Sequence, residues 1–363
     1  MKRLRTLVHG GAVLFALTAG TAPAAEFQDP LDTPPITYKE PWKKPLLSVD
    51  ANESVLVAAG LRGLVLRSAD AGKSWQQISM PVSSDLTSVF ILDESNAWIV
   101  GHDGLVLHSG DGGNSWDRQL DGRLSEQPFK DFYQEENGFE PEASARYLDE
   151  MAMNFRQGPS LPWLDVHFEN AEEGFVVGSF GMIAHTSDGG KSWQPWLHRI
   201  DNPMAMNLNA LAKVGDDLLI AGERGTLFRL DREQQQFEKI ETGYRGSFFG
   251  VTGNAEQIVA YGLRGSIWKS LDQGESWEKV EGGFHVGITD AVMTPDMQVF
   301  ASASGRLRGT ADGGASFMDL PAPPVPYTSL VLTGNALVAA SLAGVLPIPL
   351  QVPAQTAPTQ IEE

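Results

Sequence analysis

One segment returns along this chain at nearly constant spacing, and that repeat constrains the fold more than any other feature. GLRGLVLRSADAGKSW at 60–75 recurs as GHDGLVLHSGDGGNSW at 101–116, GSFGMIAHTSDGGKSW at 178–193 and GLRGSIWKSLDQGESW at 262–277. Looser copies are GERGTLFRLDREQQQF at 222–237 and SGRLRGTADGGASF at 304–317, and a half copy, LAGVLPIPL, begins at Leu342. The second glycine of each copy marks the units: Gly63, Gly104, Gly181, Gly225, Gly265, Gly305 and Gly344. Their spacings are 41, 77, 44, 40, 40 and 39 residues. Only one interval departs, and it holds an insertion of about 36 residues in an array whose unit of about 43 matches one four-stranded blade.

The expectation is an all-β chain, a seven-bladed β-propeller of four-stranded blades over 26–350, with one partly helical insertion at about 121–160. In the second unit, alternation places strands at 86–92, 97–101, 105–109 and 115–120. The seventh unit offers only three, near 329–332, 336–340 and 345–350, before a Pro/Gln/Thr-rich tail at 351–363. Closing the ring removes exposed edges, so Ile36–Trp42 is expected to supply the missing fourth strand.

Lys2, Arg3 and Arg5 precede an apolar stretch centred on 12–17, and Ala22-Pro23-Ala24 follows. That is the pattern of an export signal, expected over 1–25 with cleavage after Ala24 or Ala25. The reading is a periplasmic protein with no membrane insertion after signal cleavage. The formal charge is −19, which argues against nucleic acid as a partner, because phosphates require clustered Lys and Arg. Cysteine is absent, which removes disulfides, thiolate catalysis and Cys-ligated metals. His102 and His285 stand at no metal-ligand spacing with another His, so neither metal nor cofactor is expected.

The repeated S-x-D-x-G-x-S-W run is the Asp-box, or BNR repeat. Its acids are Asp70, Asp111, Asp188, Asp272 and Asp312. A carboxylate accepting turn amides, a glycine at positive φ and a packing aromatic make a hairpin device. Repeated around a ring, these acids are read as structural rather than catalytic. The basic residue four positions past each glycine (Arg67, His108, His185, Arg229, Lys269) is read the same way, opposing the box carboxylates.

Beyond the box, the chain resembles the photosystem II stability/assembly factor family and its bacterial relatives. The resemblance rests on blade number, on residues 161–193 and on residues 200–230. It implies a non-enzymatic, exported scaffold that holds a membrane-associated protein partner, either a membrane complex or a transporter such as an RND-type system. The alternative is a BNR-repeat glycoside hydrolase or glycan-binding propeller. Its best residues, Glu223 and Tyr244, occupy repeat positions, and the Arg-Ile-Pro signature of sialidases is missing.

The non-repeated residues point to a binding face. In a propeller, the turn between second and third strands opens on the same side as the blade-to-blade connections. Arg62, Arg224 and Arg264 precede their marker glycines as GLRG, GERG and GLRG, so they are expected to converge there and fork onto carboxylates or phosphates. Tyr244, Arg245, Phe248 and Phe284 sit on connections of that side, as does the insertion, whose Ala145, Leu148, Met151, Ala152 and Phe155 follow helical spacing over 142–155. Aromatic, Met and Arg enrichment is what interface cores show.

Overall fold

The computed structural model describes residues 28–350, apart from 135–137, 157, 159, 295 and 335. The signal segment 1–25 and the tail 351–363 lie outside the described residues. Seven antiparallel sheets follow one another, each ordered as the chain runs; six have four strands and the last has three. The expected seven-bladed propeller is therefore present. In the second blade the strands are Leu86–Ile91, Ala97–Gly101, Val106–Ser109 and Asp117–Leu120.

The second strand of each blade explains why the blades stack. Ala97–Gly101 (AWIVG), Gly174–Gly178 (GFVVG) and Ile258–Gly262 (IVAYG) are buried at every position. A strand covered on both faces reads as a continuous apolar run, and here neighbouring blades supply the two covers. Trp98 of blade 2 stacks on Phe168 of blade 3 with ring centroids 3.5 Å apart, one of several such inter-blade contacts.

The innermost strands line a central channel of about 480 Å³, and a repeated device joins them. The second residue of an inner strand donates from its side chain to the opening carbonyl of the next blade's inner strand: Thr87 to Trp163 at 2.7 Å, Asn209 to Phe248 at 2.7 Å, Thr289 to Tyr327 at 2.9 Å and Thr328 to Leu46 at 3.0 Å. The third residue accepts a backbone N–H from that neighbour: Ser48 from Val89 at 3.1 Å, Asp165 from Leu211 at 2.7 Å, Asp290 from Leu330 at 2.7 Å and Ser329 from Val49 at 3.3 Å. Side chains thus do between blades what ladders do within them.

The N-terminal fourth strand is the first correction. Blade 7 has only Tyr327–Thr333, Ala336–Ser341 and Gly344–Pro349, and residues 36–42 carry no strand. The reason lies in Pro347 and Pro349. The ladder from 336–341 to 344–349 is unbroken through both, so their missing N–H groups face outward and leave the outer edge short of donors. The N-terminal segment closes the ring as a strap instead. Leu31 is buried in the core between blades 1 and 2, and Arg123 holds Asp32 at 2.7 Å. Tyr38 N donates to Gln77 Oε1 at 2.9 Å. A Cβ on Gly344 would lie 2.0 Å from the carbonyl oxygen of Trp42. Deleting residues 34–44 should lower the melting temperature by about 4–8 °C, the equivalent of a few kcal/mol in a chain this size. An unchanged melting temperature would show that the seam between blades 1 and 7 holds alone.

The insertion contains two helices rather than one: α1 (Gly122–Gln134) and α2 (Pro141–Phe155). Pro128 inside α1 reads as a helix breaker in sequence. The start signal was nonetheless there, for Asp121 accepts from Arg123 N at 2.8 Å and Leu124 N at 2.9 Å as an N-cap. Phe129, Tyr133, Tyr147 and Met151 sink into one cluster with Trp163, Trp196 and Leu197 of blade 3. Ala152, expected on the apolar face, is exposed. The insertion is thus part of the core on one side and part of the surface on the other.

Candidate functional site

The Asp-boxes behave as hairpin locks. Asp111 Oδ1 accepts from Ser115 N at 2.9 Å and Ser109 Oγ at 2.8 Å, Oδ2 accepts from Ser115 Oγ at 2.7 Å, and Gly113 N donates to Ser109 Oγ at 2.8 Å. The same web surrounds Asp70, Asp188, Asp272 and Asp312. The serine hydroxyl and amide bonds hold Asp70, Asp111, Asp272 and Asp312 down at about 2. Gly113 sits at φ 86°, where a side chain would also strike Val57 of the preceding blade at 2.8 Å. Asp111→Ala should cost about 1–2 kcal/mol through orphaned amides while leaving partner capture intact; capture lost on a folded ring would contradict the structural role.

The basic residues do not oppose box carboxylates, which is a second correction. Arg67 Nε donates to Gly112 O at 2.7 Å, Lys269 Nζ to Gly313 O at 3.0 Å and Arg229 to Gln273 O, each reaching the box loop of the following blade. The carboxylates are already saturated by their own turns. His108 and His185 turn instead to Asn96 and Glu173.

The channel carries three half-buried carboxylates. Burial raises Asp50 and Asp165 to about 6, and Asp290 is raised as well. Their oxygens are engaged by amides, by Ser88 and by Tyr261, so they serve the ring. Among the described residues no three His, Asp or Glu side chains form a metal-binding group. These groups set the acid response. A raised carboxyl adds stability that is full below about 4 and lost as pH climbs through 6. His167 and His198, pushed down to about 4 by burial, add stability present above about 6.5 and lost as pH falls through 4. The box acids add stability lost as pH falls from about 4 through 2. The first two sets oppose each other between pH 7 and 4, and below 4 only losses remain. Thermal melts should therefore change little from pH 7 to 5 and drop steeply below 4. A steep drop already at pH 5 would contradict this balance.

The opposite side of the ring, where blade connections and second-to-third-strand turns lie, has a different character. Arg62, Arg224 and Arg264 each adopt a left-handed conformation, with φ of 57°, 55° and 58°, directly before a left-handed glycine. Two successive left-handed residues make the primed turn that suits a tight hairpin, and each arginine is exposed at its tip. The turns meet the connections: Gly63 N donates to Ser84 O at 2.9 Å, and Arg62 N to Asp85 Oδ1 at 2.7 Å. The three arginines share a face without sharing a pocket. Arg224 and Arg264 stand on adjacent blades 4 and 5, whereas Arg62 stands on blade 1.

Phe248 and Phe284 are a third correction, being 0% and 7% exposed; both fill inter-blade core and present nothing to a partner. The Phe-Phe pair gave no signal as to which ring points out, and Phe249 is the outward one at 36%. Tyr244 is half-buried, its hydroxyl 2.8 Å from Ser266 Oγ, and Glu223 Oε2 accepts from Asn207 N at 3.2 Å. Both are tied to scaffold bonds rather than poised as a nucleophile and base. Arg245 is exposed.

Two properties single out this face. Among the described residues, Arg62, Arg156, Arg224, Arg245 and Arg264 form no ion pair, and all lie on its turns, connections or insertion. The remaining described arginines each reach a carboxylate or a backbone carbonyl. Exposed large apolar side chains gather there too: Trp42, Leu124, Met153, Phe180, Met204, Leu263, Val286 and Leu342. Arg156 was missed in sequence because it sits at no repeat position, whereas the connection at 202–204 was legible as Met surface on this rim.

The comparisons with known proteins agree with this architecture. A model of the family described as photosynthesis system II assembly factor YCF48 matches residues 43–135 and 150–278. The photosystem II assembly lipoprotein Ycf48 of Synechococcus sp. (strain CC9902) is 31% identical over 132 residues, which is 35% of this chain and 37% of that protein. A solved structure titled YCF48 bound to D1 peptide superposes with a TM-score of 0.63 at 16% identity, covering 88% of this chain and 99% of its own. YCF48 from Cyanidioschyzon merolae gives 0.58 at 17% identity, covering 85% and 96%. At those identities the structures speak for the propeller fold. The family match spans more than half of the sequence, and the chain belongs to the YCF48 photosystem II assembly factor family.

Proposed function

We propose that this chain is a non-enzymatic assembly scaffold of the periplasm that docks a membrane-associated protein, a membrane complex or a transporter, on its connection-and-insertion face. The observation that carries the proposal is the collection of unpaired arginines and exposed apolar side chains on that one face of a chain with formal charge −19. An unpaired guanidinium keeps its bidentate fork free for a partner's carboxylate, and apolar side chains beside it supply the area that interface cores need. A relative whose solved structure is titled as bound to D1 peptide supports a peptide segment as the docked element. The export pattern at the N-terminus supports the compartment. Among the described residues no helix is long and apolar enough to cross a membrane.

The test is affinity capture from the native envelope followed by mass spectrometry, with a fluorogenic glycoside screen run beside it. The expected result is one enriched membrane protein and no glycoside turnover. Turnover that disappears in Glu223→Gln, with no protein enriched, would replace this reading with a hydrolase.

A further inference from the structure

Two grooves on this face meet at one connection. The first, about 640 Å³, runs between α2 and residues 203–205, lined by Ala145, Met153 and Met204, with Glu142, Arg146, Asp149 and Glu150 on its helix wall. The second, about 470 Å³, continues from Met204 across blade 4 and is lined by three cations, Arg224, Lys239 and Arg245, against one acid, Asp201. Met204 is the ridge they share. The connection is held stiffly: Asn202 Nδ2 donates to Met206 O at 2.9 Å, and Met206 N donates back to Asn202 Oδ1 at 3.1 Å. Met204 therefore stands out at 60% exposure, facing Met153 at 63%, and its sulfur lies 3.5 Å from Arg224 Nη1. Paired methionines on a rigid base form an adaptable apolar slot. The α2 wall at 142–149 falls in the interval that the family match skips, whereas Met153 lies within the match.

We infer that the two grooves form one site for an extended peptide, which places an apolar side chain in the Met153–Met204 slot and acidic side chains on Arg224, Arg245 and Lys239. The inference rests on the docking face proposed above and names its specificity. Charge complementarity selects the occupant. Arg224 and Arg245 have no ion pair among the described residues, while Lys239 is shared with Glu241 at 2.7 Å and contributes least. The cations belong to a turn, an outer strand and a connection, so they engage separated side-chain carboxylates rather than one terminal group. On the helix wall Glu142, Asp149 and Glu150 outnumber Arg146, which lies 4.0 Å from Glu150, and this acid excess fixes the direction of the peptide: apolar residue toward α2, acids toward blade 4.

The probe is a fluorescein-labelled, C-terminally amidated ten-residue peptide with one leucine followed by three alternating glutamates, read by anisotropy against the full chain. Arg224→Glu with Arg245→Glu should weaken binding at least tenfold, and Met153→Asp with Met204→Asp should weaken it about tenfold. Both should leave the melting temperature unchanged, because all four positions are solvent-facing. Should either pair unfold the chain, Arg224→Gln or Met204→Ser gives the same reading at smaller amplitude. A glutamine version of the peptide that binds as well as the acidic one would overturn the inference, as would a requirement for a free C-terminal carboxylate. Wild-type affinity in the methionine pair, with affinity lost in the arginine pair, would remove the groove while leaving the arginine face standing. Wild-type affinity in both, with partner capture also intact in the arginine variant, would remove both.

Discussion

A chain carrying Arg62→Glu, Arg224→Glu and Arg264→Glu together should capture no partner from the envelope while melting within about 1–2 °C of wild type. The two halves of that result have separate causes. Each arginine tips a primed turn, and its guanidinium forms no ion pair, so its charge does little for the fold, and isolated surface charges are worth little in any case. On a partner the same guanidiniums would meet desolvated carboxylates, where losing a charge-assisted fork and installing a like charge act together. Left-handed backbone at these positions is already accommodated, and glutamate tolerates it about as well as arginine does. Unfolding of the triple variant would show instead that the arginines serve the ring. Capture at wild-type level would move docking elsewhere.

The largest stability effect is expected at the channel, from Asp165→Ala. Its carboxylate accepts from Ser88 Oγ of blade 2 at 2.6 Å, from Val166 N at 2.9 Å and from Leu211 N of blade 4 at 2.7 Å. One side chain therefore joins three consecutive inner strands. Removing it orphans two amides and a hydroxyl in a half-buried setting, each at about 1–3 kcal/mol, offset in part by the relief of a desolvated charge. A net loss of about 3 kcal/mol is expected at pH 7 in denaturant titrations, and Asp165→Asn should lose less, because its amide oxygen still accepts. A loss below about 1 kcal/mol for the alanine variant would mean that water replaces the carboxylate without cost. Partner capture at a temperature well below the melt should be untouched, because Asp165 lies in the channel rather than on the docking turns.

How much of this was legible in the sequence follows from periodicity. Blade number, strand order and the box turns come from residues that recur at a fixed interval, and a recurrent residue has a recurrent physical job. The tips of the GLRG and GERG turns were legible for the same reason. What escaped was set by contacts between units. Whether Phe248 or Phe249 points outward depends on the bulge that follows the first residue of that inner strand, and no local pattern announces a bulge. The closure by a strap instead of a strand is written in Pro347 and Pro349, which are strand residues whose missing donors face the outer edge. The channel side chains that bridge blades from the second and third inner-strand positions vary among Ser, Thr, Asn and Asp. That variation hid a shared role, since any of these can bridge to the next blade.

Hydrogen exchange of the chain alone and in complex with its captured partner tests docking on the connection-and-insertion face most directly. Slowed exchange is expected in the turns at 61–64, 223–226 and 263–266, in the connection at 202–206 and in α2, with the box loops at 70–74, 111–115 and 272–276 unchanged. Protection confined to the box loops, with the arginine turns exchanging as freely as before, would contradict it.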